Sequence, residues 1–299
     1  MTDNLAVSHN SRIITTKDGK KYEKAGLAKT TAAVIAANAA SRIVQAAAMH
    51  LGAIPFSHVT LDENNDIYKS AAEKTFKKTG LDKKGIKFIN ITPENFDDIL
   101  KEMDKKSGIL EKIPFLNKSV ITQRNSLAAE AAMGINAMYA PELKKIFVNK
   151  DEASVLVFHE IGHALNFNKM GIGKVLSKIR GPFIGIAIAA GLISVFKRKK
   201  VEGEETKGKI DKITTFFKDN CAKLTFIGFI PMLLEEGLAS IKGGKLAKDF
   251  IPKEQLRQLN KNNAAAWLSY LGLAIGSTVG VKLASFIRDK ITKPKEIEQ

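Results

Sequence analysis

The sequence predicts a mostly helical α+β protein that is membrane-associated. Three features carry that expectation. A long alanine-rich stretch and several segments with cap residues have helix propensity and helical spacing. Between them, short β-branched runs bounded by turn residues read as strands. In the C-terminal half, three apolar runs cluster between basic flanks.

Residues 1–26 are polar and turn-rich and are expected to lack order. They do not have the basic-then-apolar order of a secretory signal, so the start of the chain is expected on the cytosolic side. Residues 27–59 form the alanine-rich helix, whose small side chains would let a neighbouring helix approach closely. Asn38, Arg42 and Gln45 make it a poor membrane span, so a buried or interfacial helix is expected.

Residues 60–150 read as a soluble α+β segment. NNDIYKSAAEKTFKKTG (64–80) is an amphipathic helix stopped by Gly80, and GIKFINI (85–91) is a strand. TPENFDDILKEMDKKSG (92–108) is a helix with Thr92 as N-cap, Pro93 at the first helical position and Gly108 as the stop. SLAAEAAMG (126–134) is a further helix. GINAMYA (134–140) and KKIFVN (144–149) are strands about the turn signal Ala140-Pro141. Asp151 opens the next helix, DEASVLVFHEIGHALNFNKMG, with acidic residues in its first turn and Gly171 at its end.

Residues 181–241 hold an apolar hairpin. Its first run, PFIGIAIAAGLISVF (182–196), gives about 22 Å of helix, short of a hydrocarbon core of about 30 Å. It would span a thinned bilayer or re-enter. A charged loop, KRKKVEGEETKGKIDK (197–212), leads to LTFIGFIPMLL (224–234), bent at Pro231. Residues 242–299 contain the third run, the hydrophobic helix 264–287, long enough to span, with Lys282 placed to snorkel. Gly272, Gly276 and Gly280 give this helix a small-residue stripe for tight packing. Burial in the core of a soluble protein is the alternative for all three runs.

The net charge of +16 fits anionic membrane lipids as partners. It fits nucleic acid poorly, because aromatics are only 7% and no basic cluster is interleaved with them. The single cysteine, Cys221, excludes an internal disulfide and a thiolate zinc cage, and reads as a small buried residue.

The chemistry lies in VLVFHEIGHALNF (155–167). His159 and His163 are four apart, so they share one helix face and can converge on a metal ion. Zinc accepts two imidazoles and keeps a position for water. Glu160, beside the first histidine, can take the proton as that water attacks a carbonyl. Asn166 and Lys169 stand where a metzincin would need Gly and His, which excludes that class. A carboxylate from a later helix is the remaining pattern for a third ligand. LLEEGLAS (233–240) supplies Glu235 and Glu236 at the end of an apolar run, where an unpaired carboxylate is costly.

HEIGHAL followed by EGLA resembles the gluzincin metallopeptidases, whose third zinc ligand is a Glu on a helix C-terminal to HExxH. The resemblance implies a zincin-like catalytic core within residues 60–180 and Zn2+ as cofactor. It implies His159, His163 and Glu236 as metal ligands and Glu160 as the catalytic base. Glu235 competes with Glu236 for the ligand role. Ser240, one turn after Glu236, takes a place where some members hold a zinc histidine with an acidic residue. The insertion of an apolar segment between the two motifs looks like the CAAX-processing and heat-shock membrane protease type. Those often carry a further His where Asn168 stands here. Gluzincins lay substrate along an edge strand before the active-site helix, a place that GINAMYA or KKIFVN could fill. Tyr139 is a possible oxyanion donor, or a packing residue. His9, His50 and His58 are assigned no function.

The expectation is a zinc-dependent metallopeptidase that hydrolyses peptide bonds of a protein or peptide substrate at or near a membrane, with its catalytic side cytoplasmic. The main alternative is a catalytically inactive zincin-like membrane protein acting as a binding or structural module. A third reading is a basic, transport-related helical protein in which HEIGH is incidental.

Overall fold

The structure, a computed structural model, describes residues 13–57, 65–105, 114–151, 155–169 and 171–297. It is mostly helical, with two three-stranded sheets among the described residues. The chain forms two compact units, each assembled from distant pieces. One holds the described residues of Ala53–Ile179 and Pro231–Leu268; the other holds those of Met1–Gly52, Arg180–Ile230 and Ser269–Gln299. The first unit thus joins residues 53–179 to 231–268, which lie far apart in sequence.

In the first unit, β-branched and aromatic residues form β3 (Lys87–Asn90), β4 (Ala137–Ala140) and β5 (Lys145–Val148). β5 lies in the centre, parallel to β3 and antiparallel to β4. Both of its faces are covered, as its unbroken run of Ile146, Phe147 and Val148 requires. Ile146 belongs to one buried cluster with Leu81, Ile161 and Leu165. Phe147 belongs to a second buried cluster with Ile99, Met103 and Ala128. The helices here are α2 (Asn65–Thr79), α3 (Phe96–Asp104), α4 (Pro114–Ala132) and α5 (Val157–Asn168). Gly80, at φ 65°, stops α2 as expected.

Two boundaries differ from expectation. Asn95, not Thr92, stands before α3: its Oδ1 accepts the Thr92 N–H at 2.9 Å, and residues 93–95 make a turn. The expected stop, Gly108, lies outside the described residues. The motif helix α5 opens at Val157, not Asp151; residues 152–154 also lie outside the described residues. From Val157 to Asn166 every residue except Glu160 is buried. An all-round buried helix of this kind sits in a core.

In the second unit, residues 13–26 correct the expectation of disorder. β1 (Ile13–Thr15) and β2 (Lys21–Glu23) form a hairpin, extended by β6 (Lys295–Glu296). Its turn is closed by Thr16 N–H to Lys20 O at 3.0 Å and by Gly19 at φ 82°. The alanine-rich helix is α1 (Leu27–Ser57), one residue short of His58, which is outside the described residues. Its small face meets the glycine stripe. A Cβ on Gly280 would stand 2.9 Å from Ser41 O, and one on Gly276 would run into Ala48. Gln45 Nε2 donates to Ser277 Oγ across this contact at 3.0 Å.

The apolar runs are parts of longer helices. α6 (Ile172–Phe196) continues through Pro182, and its 25 residues give about 37 Å, which corrects the short run. α7 (Gly208–Asp219) begins inside the expected loop 197–212. α8 (Cys221–Ala247) continues through Pro231, so Glu235 and Glu236 lie on the same helix as the apolar run. α9 (Lys253–Ile291) has 39 residues. α6, α8 and α9 are each long and apolar enough to cross a membrane. Cys221 is buried as expected.

Candidate metal centre

Residues of α5 and of the C-terminal part of α8 build the centre within the first unit. The two helices run antiparallel and touch at glycines. A Cβ on Gly162 would press into the Ala239 carbonyl, 2.7 Å from its carbon and 2.9 Å from Ala239 Cα. A Cβ on Gly243 would stand 2.7 Å from the Phe158 carbonyl carbon and 3.1 Å from His159 N. Backbone-to-backbone approach at two points, one turn apart on each helix, brings the histidines onto the carboxylates.

His159 Nε2 lies 3.3 Å from Glu236 Oε2, and His163 Nε2 lies 3.2 Å from the same oxygen. The three ligand atoms are all within 4.8 Å of one another. The rings stand edge to face, at 88°. Two ligands about 2.05 Å from a zinc ion at the tetrahedral angle are about 3.3 Å apart. The two measured edges match that spacing. The group can hold a metal ion.

Each histidine is held at its other nitrogen. His159 Nδ1 is 3.0 Å from Ser240 Oγ, and His163 Nδ1 is 2.9 Å from Glu235 Oε1. Glu235 can only accept, so His163 Nδ1 carries a proton and its Nε2 is the nitrogen left for a metal; the Ser240 hydroxyl can accept from His159 Nδ1 or donate to it. Glu235 is thus placed behind His163 and Glu236 in front of it. Glu235 is fully buried, and Asn166 Nδ2 donates to its Oε1 at 2.9 Å and its backbone oxygen at 3.1 Å. Lys242 Nζ donates in turn to Asn166 Oδ1 at 2.5 Å. Burial pulls the His163 imidazole down. Glu236, Glu235 and Glu160 outweigh it, so its pKa is raised well above the ordinary value.

Glu160 stands apart from the three ligand atoms. Its Oε2 accepts the Tyr139 backbone N–H at 2.7 Å, which ties it to β4. Its Oε1 makes no hydrogen bond among the described residues. Burial raises the Glu160 carboxyl above its usual range, opposed by His163, His159 and the Tyr139 N–H. Tyr139 brings its backbone to Glu160, while its hydroxyl accepts from Asn168 Nδ2 at 2.7 Å.

Of the two strands named from the sequence, β5 is paired on both sides and only β4 is an edge. The Ala137 N–H is already taken by Asn136 Oδ1 at 2.8 Å, as that of Tyr139 is by Glu160. Sequence reasoning missed Asn166, Lys242 and Gly243. Asn166, on the face of α5 that holds His159 and His163, carried the one available signal: a polar residue in the apolar run 164–167.

Compared with protein-family models, with curated proteins and with solved structures, the chain matches none.

Proposed function

We propose that the chain is a membrane-associated zinc metallopeptidase of the gluzincin kind, acting on a peptide bond near the membrane. One observation carries this reading. Two imidazole Nε2 atoms converge on one Glu236 oxygen at 3.3 and 3.2 Å, with each Nδ1 held from behind. The donor set of two imidazoles and a carboxylate suits zinc in an open, catalytic arrangement. When bound there, zinc would polarise a carbonyl and lower the pKa of water to about 7.

The residues divide the remaining work. His159, His163 and Glu236 hold the ion. Ser240 and Glu235 keep the imidazoles in register. Glu160, anchored through Oε2 to the Tyr139 N–H, keeps Oε1 free to take the proton of the attacking water and to pass it to the leaving nitrogen. Membrane association is supported by α6, α8 and α9, each long and apolar enough to cross a bilayer.

The test is metal content and peptide hydrolysis of the detergent-purified chain, wild type beside His159→Ala and Glu160→Gln. The expected result is about one zinc per chain, absent from His159→Ala. Glu160→Gln should retain zinc and lose hydrolysis, because Gln still accepts the Tyr139 N–H but takes no proton. Zinc with no hydrolysis in the wild type would select a binding module. No zinc after reconstitution would end the metal reading.

A further inference from the structure

The second unit contains a cavity of about 330 Å³ at the C-terminal ends of α6 and α9. That volume is at the lower end of small-ligand sites. Five cations line it, Lys24, Lys197, Arg198, Lys200 and Arg288, against two carboxylates, Glu204 and Asp211. The cations are set by the fold. Asp211 bonds both Lys197, at 2.7 Å, and Lys200, and also accepts the Lys207 N–H at 2.7 Å. Those two lysines hold it well below the usual carboxylate range, so it stays ionised. Glu204 takes Arg198 in a forked pair at 2.6 and 2.8 Å. The lysine and arginine side chains in these pairs are only 14–21% exposed.

Arg288 is different. It is buried, and its bonds go to neutral acceptors: Val195 O at 3.0 Å, Phe196 O at 3.4 Å and Thr292 Oγ1. The end of α6 orients it but supplies no full counter-charge. One carboxylate serves two lysines and one serves Arg198, while among the described residues the only carboxylate acting on Arg288 is Asp289, which is shared with Lys218. The cavity keeps a surplus of positive charge in a partly buried place, which an anion would relieve.

We infer that this cavity binds a phosphate group, through Lys24, Lys197, Lys200 and Arg288. A phospholipid headgroup and free phosphate share that chemistry. The headgroup is favoured by the surroundings. Phe196, at the mouth, is 64% exposed, and Leu192 and Phe286 are exposed on the same two apolar helices. A phosphate in the cavity would leave acyl chains beside apolar side chains.

The test is native mass spectrometry of the full chain in a neutral detergent, with dioleoylphosphatidylglycerol, dioleoylphosphatidylcholine or inorganic phosphate added. Lys24→Gln/Lys200→Gln is compared with Lys209→Gln/Lys212→Gln, which removes the same charge from exposed positions of α7 outside the cavity. Lys197 keeps Asp211 paired in the first variant, and equal melting points check the fold. If that variant melts early, Lys200→Gln alone replaces it. Phosphatidylglycerol should bind roughly tenfold or more weakly to the cavity variant and within about twofold of wild type to the control. Retained lipid when inorganic phosphate is in excess supports the headgroup; displacement supports free phosphate. Equal loss in both variants, or no binding of either phosphate probe by the wild type, overturns the site.

Discussion

Gly162→Ala is the sharpest test of how the centre is built, because one methyl group acts on the helix crossing and touches no ligand. The added Cβ would stand 2.7 Å from the Ala239 carbonyl carbon, and closer still to its oxygen. Carbon atoms rest about 3.5–4.0 Å apart, so α8 must retreat by at least about 0.8 Å. Neither partner is a flexible side-chain tip; both are helix backbone. Alanine gains up to about 1 kcal/mol of helix propensity over glycine. Overpacking costs about 1–3 kcal/mol. The fold is therefore expected to survive with a net loss of up to about 2 kcal/mol. The centre is less forgiving, since ligand distances tolerate only about 0.2 Å. A retreat of α8 moves Glu236 and Ser240 together away from both histidines. Zinc affinity should fall about 10- to 100-fold or more, the range seen when ligand support is lost. The assay is competition with a zinc chelator on the detergent-purified chain, paired with thermal unfolding. Gly237→Ala is the control. It adjoins Glu236, the proposed ligand, yet its Cβ would meet only Trp267 Nε1 at 3.4 Å and Cδ1 at 3.7 Å, ordinary contacts. Wild-type zinc affinity in Gly162→Ala would refute the close crossing as the source of the geometry. Equal loss in Gly237→Ala would refute its local origin.

Other predictions separate the remaining roles. Glu236→Ala should abolish zinc binding, whereas Glu235→Gln should weaken it about 10- to 100-fold, since the amide still bonds His163; chelator competition reads both, and the reverse order would exchange the two assignments. Lys218, buried in α7, bonds Ser194 O and Asp289 Oδ1, each at 3.0 Å, and burial lowers its ammonium pKa against the pull of Asp289. The folded chain then releases this proton at lower pH than the unfolded chain does. Stability contributed by this group should rise with pH between the lowered value and the ordinary 10.5. Melting curves should show that rise in the wild type and not in Lys218→Met; parallel curves would refute it. Gly276→Val should disrupt the contact of α1 with α9, where even a methyl would run into Ala48, and destabilise the chain by about 1–3 kcal/mol in detergent melting. An unchanged melting point would mean that the two helices are not held at this distance.

What the sequence made legible was whatever a single helix turn decides. His159 with His163, and Glu236 with Ser240, are four apart, and that spacing alone puts each pair on one face. The β4–β5 hairpin was legible for the same local reason. Choosing between Glu235 and Glu236 was not, because adjacent residues on a helix point about 100° apart and only the partner helix says which direction faces the histidines. The lengths of α6 and α8 were hidden by prolines, which read as breaks, and by charged turns beside the apolar runs. The ordered hairpin at residues 13–23 was hidden by its polarity, although Asp18-Gly19 is a turn signal. The glycines bear on both cases. Gly276 and Gly280 were read as a packing stripe because they repeat. Gly162 stands inside the motif and drew no reading of its own, yet it faces the Ala239 backbone, and Gly243 faces that of Phe158. The motif suggests ligands and a base, but the distance between α5 and α8 decides whether the side chains meet, and that distance is set by residues with no side chain at all.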